Sequence, residues 1–370
     1  MAGTAEGTLL RREWDDPRVV PHSSPEDATT SVRQAAASLT EGTDGTDSVK
    51  RTVRTHSTSL PGDAAGRAAR ARLSLEGLSL GDAFGARVGS RSGNRWLVAR
   101  RPPPPPWPHT DDTEMAAVIV GELERAGGID PDSLAEAFAR RYAARPSRGY
   151  GATTRRILER IADGSPWRAA AGRVFNGAGS AGNGAAMRAA PVGGYFADDP
   201  DRAAEQAVRS AEVTHLNPEG IAGAVAVAAA ARLALEPSPR RGASLLEAAL
   251  AFTPAGAVRA GLERAALFPL TADPENAARA LGNGSRASAA DTVPFCLWCA
   301  ARHVEDYPAA LWSAVSVGGH SDTHAAIVGG IVALCVGAAG LPADWLTARE
   351  PLVGGDGHPG RSAGPPDAAP

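Results

Sequence analysis

Apolar residues that recur every three or four positions, with glycine or proline at nearly every break, restrict this chain to a packing of short helices. The spacing is clear at Met115, Val118, Ile119 and Leu123, and again at Ile221, Val225, Ala229 and Leu233. Each set falls on one face of a helix. Period-2 alternation over a strand length is hard to find. Breaks fall at Gly127-Gly128, Pro146, Gly164, Gly193-Gly194, Pro218, Pro254 and Pro342, so about a dozen helices and an all-α fold are expected. Helix starts are marked by Asp130-Pro131 before Ser133 to Arg145, and by Asp291-Thr292 before a helix carrying Cys296 and Cys299. No motif returns at a fixed period of roughly 30 to 45 residues, which argues against a solenoid.

The two ends differ in kind. Residues 1–71 and 348–370 are rich in Ser, Thr, Gly, Asp and Pro, with too few large apolar side chains to offset the entropy of ordering. One helical domain over 72–347 between disordered extensions is therefore expected. Net charge is −3 and the arginines are dispersed, so no footprint for nucleic acid is present. No apolar run reaches the roughly 18 to 20 residues of a membrane helix, because even Ile327 to Gly340 is short and broken by glycine. The N-terminus mixes acids and bases early, unlike a signal peptide, and a cytoplasmic location is expected. Three cysteines, Cys296, Cys299 and Cys335, cannot make a disulfide framework. The Cys296-x-x-Cys299 pair lies in an apolar helical run without a second ligand pair, and reads as reduced core thiols. The proline run from Arg101 to Pro108 reads as a stiff, extended surface loop that delivers the residues after it.

Those residues are Thr110-Asp111-Asp112-Thr113-Glu114, placed on the first turn of a helix by the amphipathic run that follows. Taken alone they read as an N-cap, with Asp111 and Glu114 at capping-box spacing. A second cluster changes the reading. Ser316-Val317-Gly318-Gly319-His320-Ser321-Asp322-Thr323 precedes another apolar helix, Ala325 to Cys335. If the two starts meet, Asp111, Asp112 and Asp322 repel by up to about 4 kcal/mol per close pair at an effective dielectric near 20. A cap contributes only about 1 kcal/mol. A converged cluster thus calls for a cation, and all-oxygen donors suit magnesium, manganese or calcium. Convergence itself cannot be read from spacing. Two further segments stand out: Gly177 to Arg188, a glycine-rich turn into a helix where backbone N–H groups could meet a phosphate, and Thr214 to Glu219, which contains His215.

In this order and spacing, five segments resemble the ADP-ribosylglycohydrolase family. They are Gly77-Leu78-Ser79-Leu80-Gly81-Asp82-Ala83-Phe84-Gly85, Thr110 to Thr113, Gly182 to Arg188, Thr214 to Glu219, and Gly318 to Ile331. The resemblance implies a single globule of orthogonally packed helices with a metal-bearing cleft. It implies hydrolysis of the glycosidic bond between ADP-ribose and a protein side chain or small acceptor, with two magnesium ions as cofactor. Thr110, Asp111 and Asp112 would ligate metal from one helix start, and Asp322 and Thr323 from the other. Gly179, Ser180, Gly182, Asn183 and Gly184 would take the diphosphate and ribose, with His215 nearby. Either Asp111 or Asp112 would ready the attacking water.

Two departures follow from the same comparison. The family's second motif usually carries aspartate where this chain has His320, an imidazole that would favour manganese or another softer divalent ion at that position. Many relatives also carry a catalytic glutamate after the position of Gly85, whereas Ala86-Arg87-Val88-Gly89-Ser90-Arg91 has no carboxylate. These departures define an alternative, a catalytically silent relative that binds ADP-ribose or another nucleotide. A structural protein that retains only the caps is a third reading. The acceptor, whether arginine, serine, a nucleic-acid end or an acetylated ADP-ribose, is left open.

Overall fold

Polar caps set most helix starts. In a computed structural model, which describes residues 62–90, 92–236, 238 and 241–352, Asp130 caps Pro131–Ala144 by accepting from Asp132 N and Ser133 N. Asn217 caps Pro218–Leu233 in the same way. The cysteine helix begins earlier than expected, at Ala289, because Ser288 accepts from Asp291 N and takes the capping role assigned to Asp291. Sixteen α-helices are present among the described residues. Backbone pairing outside helices is limited there to two isolated bridges, Trp107 with Arg349 and Gly182 with Ser288. The fold is all-α, and no described helix is long and apolar enough to cross a membrane.

The packed region extends past both expected limits. Its first helix, Ala64–Val88, starts ahead of residue 72 under an Asp63 cap. Two ion pairs hold that early turn: Arg67 with Asp198, and Arg70 with Asp198 at 3.1 Å. At the other end, Glu350 N donates to Trp107 O at 3.0 Å and Arg349 donates to Ser79 Oγ and Glu76. The chain beyond 347 is therefore in contact with the domain through these residues, while most of both extensions lies outside the described residues. Trp107 is buried and packs with Phe84 and Trp345. The proline segment is thus pinned at Pro103, Trp107 and His109, which are buried, where an open surface loop was expected.

One helix pair fixes the frame of the site. Gly77, Gly81 and Gly85 fall on a single face of Ala64–Val88 and meet Gly329, Ala325 and Ser321 on Ser321–Val336. A Cβ on Gly81 would lie 2.0 Å from Ala325 O, and one on Gly85 would lie 2.3 Å from Ser321 O. Only glycine lets the two backbones approach this closely. The helix Pro218–Leu233 is buried on nearly every side, since alanine and glycine on its other faces admit neighbours that larger residues would exclude. Cys296 and Cys299 are buried free thiols in the core, as expected.

Candidate active site

Asp82 follows Gly81 directly and is completely buried. Its carboxylate accepts from Thr110 N and Thr110 Oγ1, both at 2.8 Å, and from Thr113 N at 3.1 Å and Thr113 Oγ1 at 2.5 Å. A buried anion thus receives the N-terminus of Asp111–Ala126, where free N–H groups and the helix dipole favour negative charge. This fixes where Asp111 and Asp112 stand. Sequence reasoning missed Asp82, although it is the lone carboxylate in the Gly77 to Gly85 segment.

The expected capping box is not formed. Thr110 is the cap, accepting from Asp112 N at 3.3 Å. Glu114 instead turns into the protein and meets His109 Nε2 at 3.1 Å, Arg145 and Arg148 at 3.2 Å each, and Arg141. Burial alone would raise its pKa, but the His109 hydrogen bond and the Arg141 charge prevail and hold it at about 2. Glu114 is therefore an anchor beneath the helix start.

The two helix starts meet. Asp322 sits in the first turn of Ser321–Val336, and its charge acts on Asp82, Asp111 and Asp112. Burial, followed by this mutual repulsion, pushes Asp111 up to about 7 and Asp112 well above the usual carboxylate range. Burial raises Asp82 to about 6 against its own hydrogen bonds. The Thr323 hydroxyl opposes the shift on Asp112, and Asp112 Oδ2 is buried with no hydrogen-bond partner. The structure gathers Thr110, Asp111, Asp112, Asp322 and Thr323, and leaves the His320 side chain exposed with no capping bond. The donor set is all oxygen and contains an unsatisfied buried oxygen, which fits a hard divalent cation. Among the described residues no three acidic, imidazole or thiol groups already aim at one point, so the fit lies in donor chemistry and burial.

These shifts have a measurable consequence. With folded-state values of about 6 for Asp82 and about 7 for Asp111, above the roughly 3.9 of an unfolded aspartate, these two sites hold more protons in the folded metal-free protein than in the unfolded chain. Their contribution is full below about pH 4 and is lost as pH rises through 6 and 7. Buried His215 and His324, held down to about 3 and about 4, act in the opposite sense, so the cluster is read as a difference. The melting temperature of chelator-treated wild type minus that of Asp111→Asn should fall between about pH 5 and 8, and magnesium should flatten the fall. A metal-free difference that is level or rises over that interval would contradict the cluster's electrostatics.

The glycine loop and His215 form one unit. Gly179 has φ +70°, and a Cβ there would lie 2.6 Å from Asn217 N. Gly182 and Gly184 lie against the imidazole, so that a Cβ on either would come within 3.3 Å of His215 Nε2. Ser180 Oγ accepts from Gly182 N at 3.2 Å. The Asn183 side chain points inward and donates to Thr292 Oγ1 at 3.1 Å, tying the loop to the cysteine helix. His215 is driven down to about 3 by burial and by the charge of Arg188, and so is neutral. Arg188 also acts electrostatically on Asp111, which relates the loop to the acidic cluster.

The fold is an all-helical one in which two helix starts bring buried, mutually repelling acids together, an arrangement that costs stability and marks a candidate active site. The sequence profile of the ADP-ribosylglycohydrolase family matches residues 63–357. Among curated proteins, the ADP-ribosylhydrolase ARH3 of Mus musculus is 29% identical over 278 residues, covering 65% of this chain and 73% of its own length. An uncharacterized protein of Archaeoglobus fulgidus is 32% identical over 240 residues, covering 64% and 74%. A solved structure described as an ADP-ribosylglycohydrolase-related protein complex superposes with a TM-score of 0.56 at 28% identity, covering 77% of this chain and 93% of that one. The chain belongs to the ADP-ribosylglycohydrolase family, and its activity class is that of a glycosidic-bond hydrolase.

Proposed function

We propose that this protein hydrolyses the glycosidic bond joining ADP-ribose to a protein side chain or small acceptor, with a divalent metal held at the two helix starts. The observation that carries the metal part is the buried, unpartnered Asp112 Oδ2 among carboxylates whose charges oppose one another. Family membership and the resemblance to relatives named as ADP-ribosylhydrolases support the substrate. Thr110, Asp111, Asp112, Asp322 and Thr323 would hold magnesium or manganese, and His320 stays outside the ligand set. When bound, the ion supplies Lewis-acid polarisation of the ribose hydroxyls.

The chain's own groups perform the rest. Asp111 or Asp112, held in the first turn of Asp111–Ala126, would take a proton from the attacking water. Asp82 holds the Thr110 to Thr113 turn in register so that both carboxylates stay in place. Within the Gly179 to Gly184 loop the N–H groups of Gly179, Gly182 and Asn183 donate to Val174 O, Ser180 Oγ and Ala287 O, so those of Ser180, Ala181 and Gly184 would receive the diphosphate, with neutral His215 beneath them. ADP-ribosylated proteins or small ADP-ribose conjugates are the partners this site would meet. Free, buried thiols agree with a reducing, cytoplasmic setting.

Release of free ADP-ribose tests the proposal. Purified protein is incubated with ADP-ribosyl-arginine protein, ADP-ribosyl-serine peptide and acetylated ADP-ribose, with magnesium, manganese or a chelator. Release from at least one substrate that stops with chelator is the expected result. Binding of ADP-ribose without release from any of them would replace the hydrolase with a nucleotide-binding protein.

A further inference from the structure

Arg188 closes the Gly182 to Arg188 segment, yet nothing above requires an arginine there. It is fully buried, with its guanidinium 4.6 Å from the centre of the Phe138 ring. Its Nη2 donates to Ser210 O and to Thr214 Oγ1, both at 2.9 Å. Thr214 is also fully buried, and its hydroxyl lies 2.7 Å from His215 Nδ1. The order of donors follows from valence. Arginine can only donate, so it occupies a lone pair of Thr214 Oγ1. The hydroxyl proton then needs an acceptor, and a buried hydroxyl without one is costly. Among the recorded partners of Thr214 Oγ1, only His215 Nδ1 can accept. Nδ1 therefore carries the lone pair and Nε2 carries the hydrogen.

That hydrogen is aimed at the loop. His215 is 3% exposed, and no described protein group accepts from its Nε2, which faces the backbone of Gly182 and Gly184. We infer that Arg188, acting through Thr214, is a positioning residue that fixes His215 as an Nε2–H donor toward an oxygen of the nucleotide ligand bound at the glycine loop. The inference rests on the ADP-ribose reading for its ligand but not for its tautomer. A neutral ring is needed throughout, and burial beside the Arg188 charge keeps it so. With the opposite tautomer, Nε2 would present a lone pair to an anionic diphosphate and repel it.

The experiment uses the full chain. Long-range ¹⁵N–¹H NMR assigns the His215 ring in wild type, Thr214→Val and Thr214→Ser, and calorimetry measures ADP-ribose affinity for each. Wild type should show the Nε2–H pattern with or without ligand. Thr214→Val, which keeps the shape and removes the hydroxyl, should lose that pattern and bind ADP-ribose on the order of tenfold more weakly. Thr214→Ser should keep both. Failure of the wild-type ring to show Nε2–H, or retention of tautomer and affinity in Thr214→Val, overturns the relay. If wild type shows Nε2–H but binds no ADP-ribose, the functional reading fails together with the ligand role given to Nε2. Arg188→Met should match Thr214→Val in the ring spectrum, and a native thermal melt separates that effect from unfolding.

Discussion

Asp111→Ala is expected to reduce ADP-ribose release by a factor on the order of 10³ or more and to strip the protein of bound magnesium. Both losses come from one side chain, because the carboxylate is proposed to act as metal ligand and to stand where a proton must be taken. The variant should nevertheless fold. Asp111 is destabilising in the absence of metal, since burial and the neighbouring charges of Asp82 and Asp322 lift its pKa to about 7. Removing it relieves that repulsion, so metal-free Asp111→Ala should melt at or above the wild-type temperature at pH 8. Asp111→Asn, which keeps the shape, should behave alike. Turnover near the wild-type rate, measured with metal content on the same sample, would remove Asp111 from the mechanism. A variant that loses activity because it unfolds would show a lowered melt.

The second large effect lies outside the cluster. Gly81→Val is expected to destabilise the protein by about 3 kcal/mol and to lower metal affinity and activity together. A Cβ at this position would sit 2.0 Å from Ala325 O and 2.7 Å from Ala325 C. Both are backbone atoms that no side-chain rotation can clear, so the two helices must part. Asp82 rides on one of them and Asp322 on the other, and separation would pull apart the groups proposed to share an ion. Gly151→Ala is the control, because a Cβ there meets nothing within 4 Å. Urea melts that place Gly81→Val beside wild type would refute the close-contact argument.

The helical fold was legible because glycine, proline and capping residues punctuate the chain where helices end. The two acidic starts were legible for the same reason. Their meeting was not, since it depends on the close approach of Gly77, Gly81 and Gly85 to Gly329, Ala325 and Ser321, a relation between distant segments that no local pattern encodes. Asp82 went unassigned because its role is tertiary: it accepts from Thr110 N and Thr113 N at the start of a helix that begins well downstream. Glu114 was misjudged on spacing, as four neighbours drawn from Arg141, Arg145, Arg148 and His109 outweigh the weaker local bond of a capping box. The ends were drawn too tightly because ion pairs of Arg67 and Arg70 with Asp198, and of Arg349 with Glu76, anchor segments whose composition looks unfolded.

The glycine-faced helix pair joins the first described helix to one of the last. A chain leaving the ribosome therefore carries Asp82, Asp111 and Asp112 long before Asp322 emerges, and it cannot assemble the acidic cluster until nearly all of the domain has been made. Closing so long a loop is slow and is rewarded only at the end. The early carboxylates are meanwhile solvated and ionised, at no electrostatic cost, in the nascent chain. Burial and mutual repulsion arise together in the final docking step, which is also the first moment at which a cation could find the complete set of oxygens.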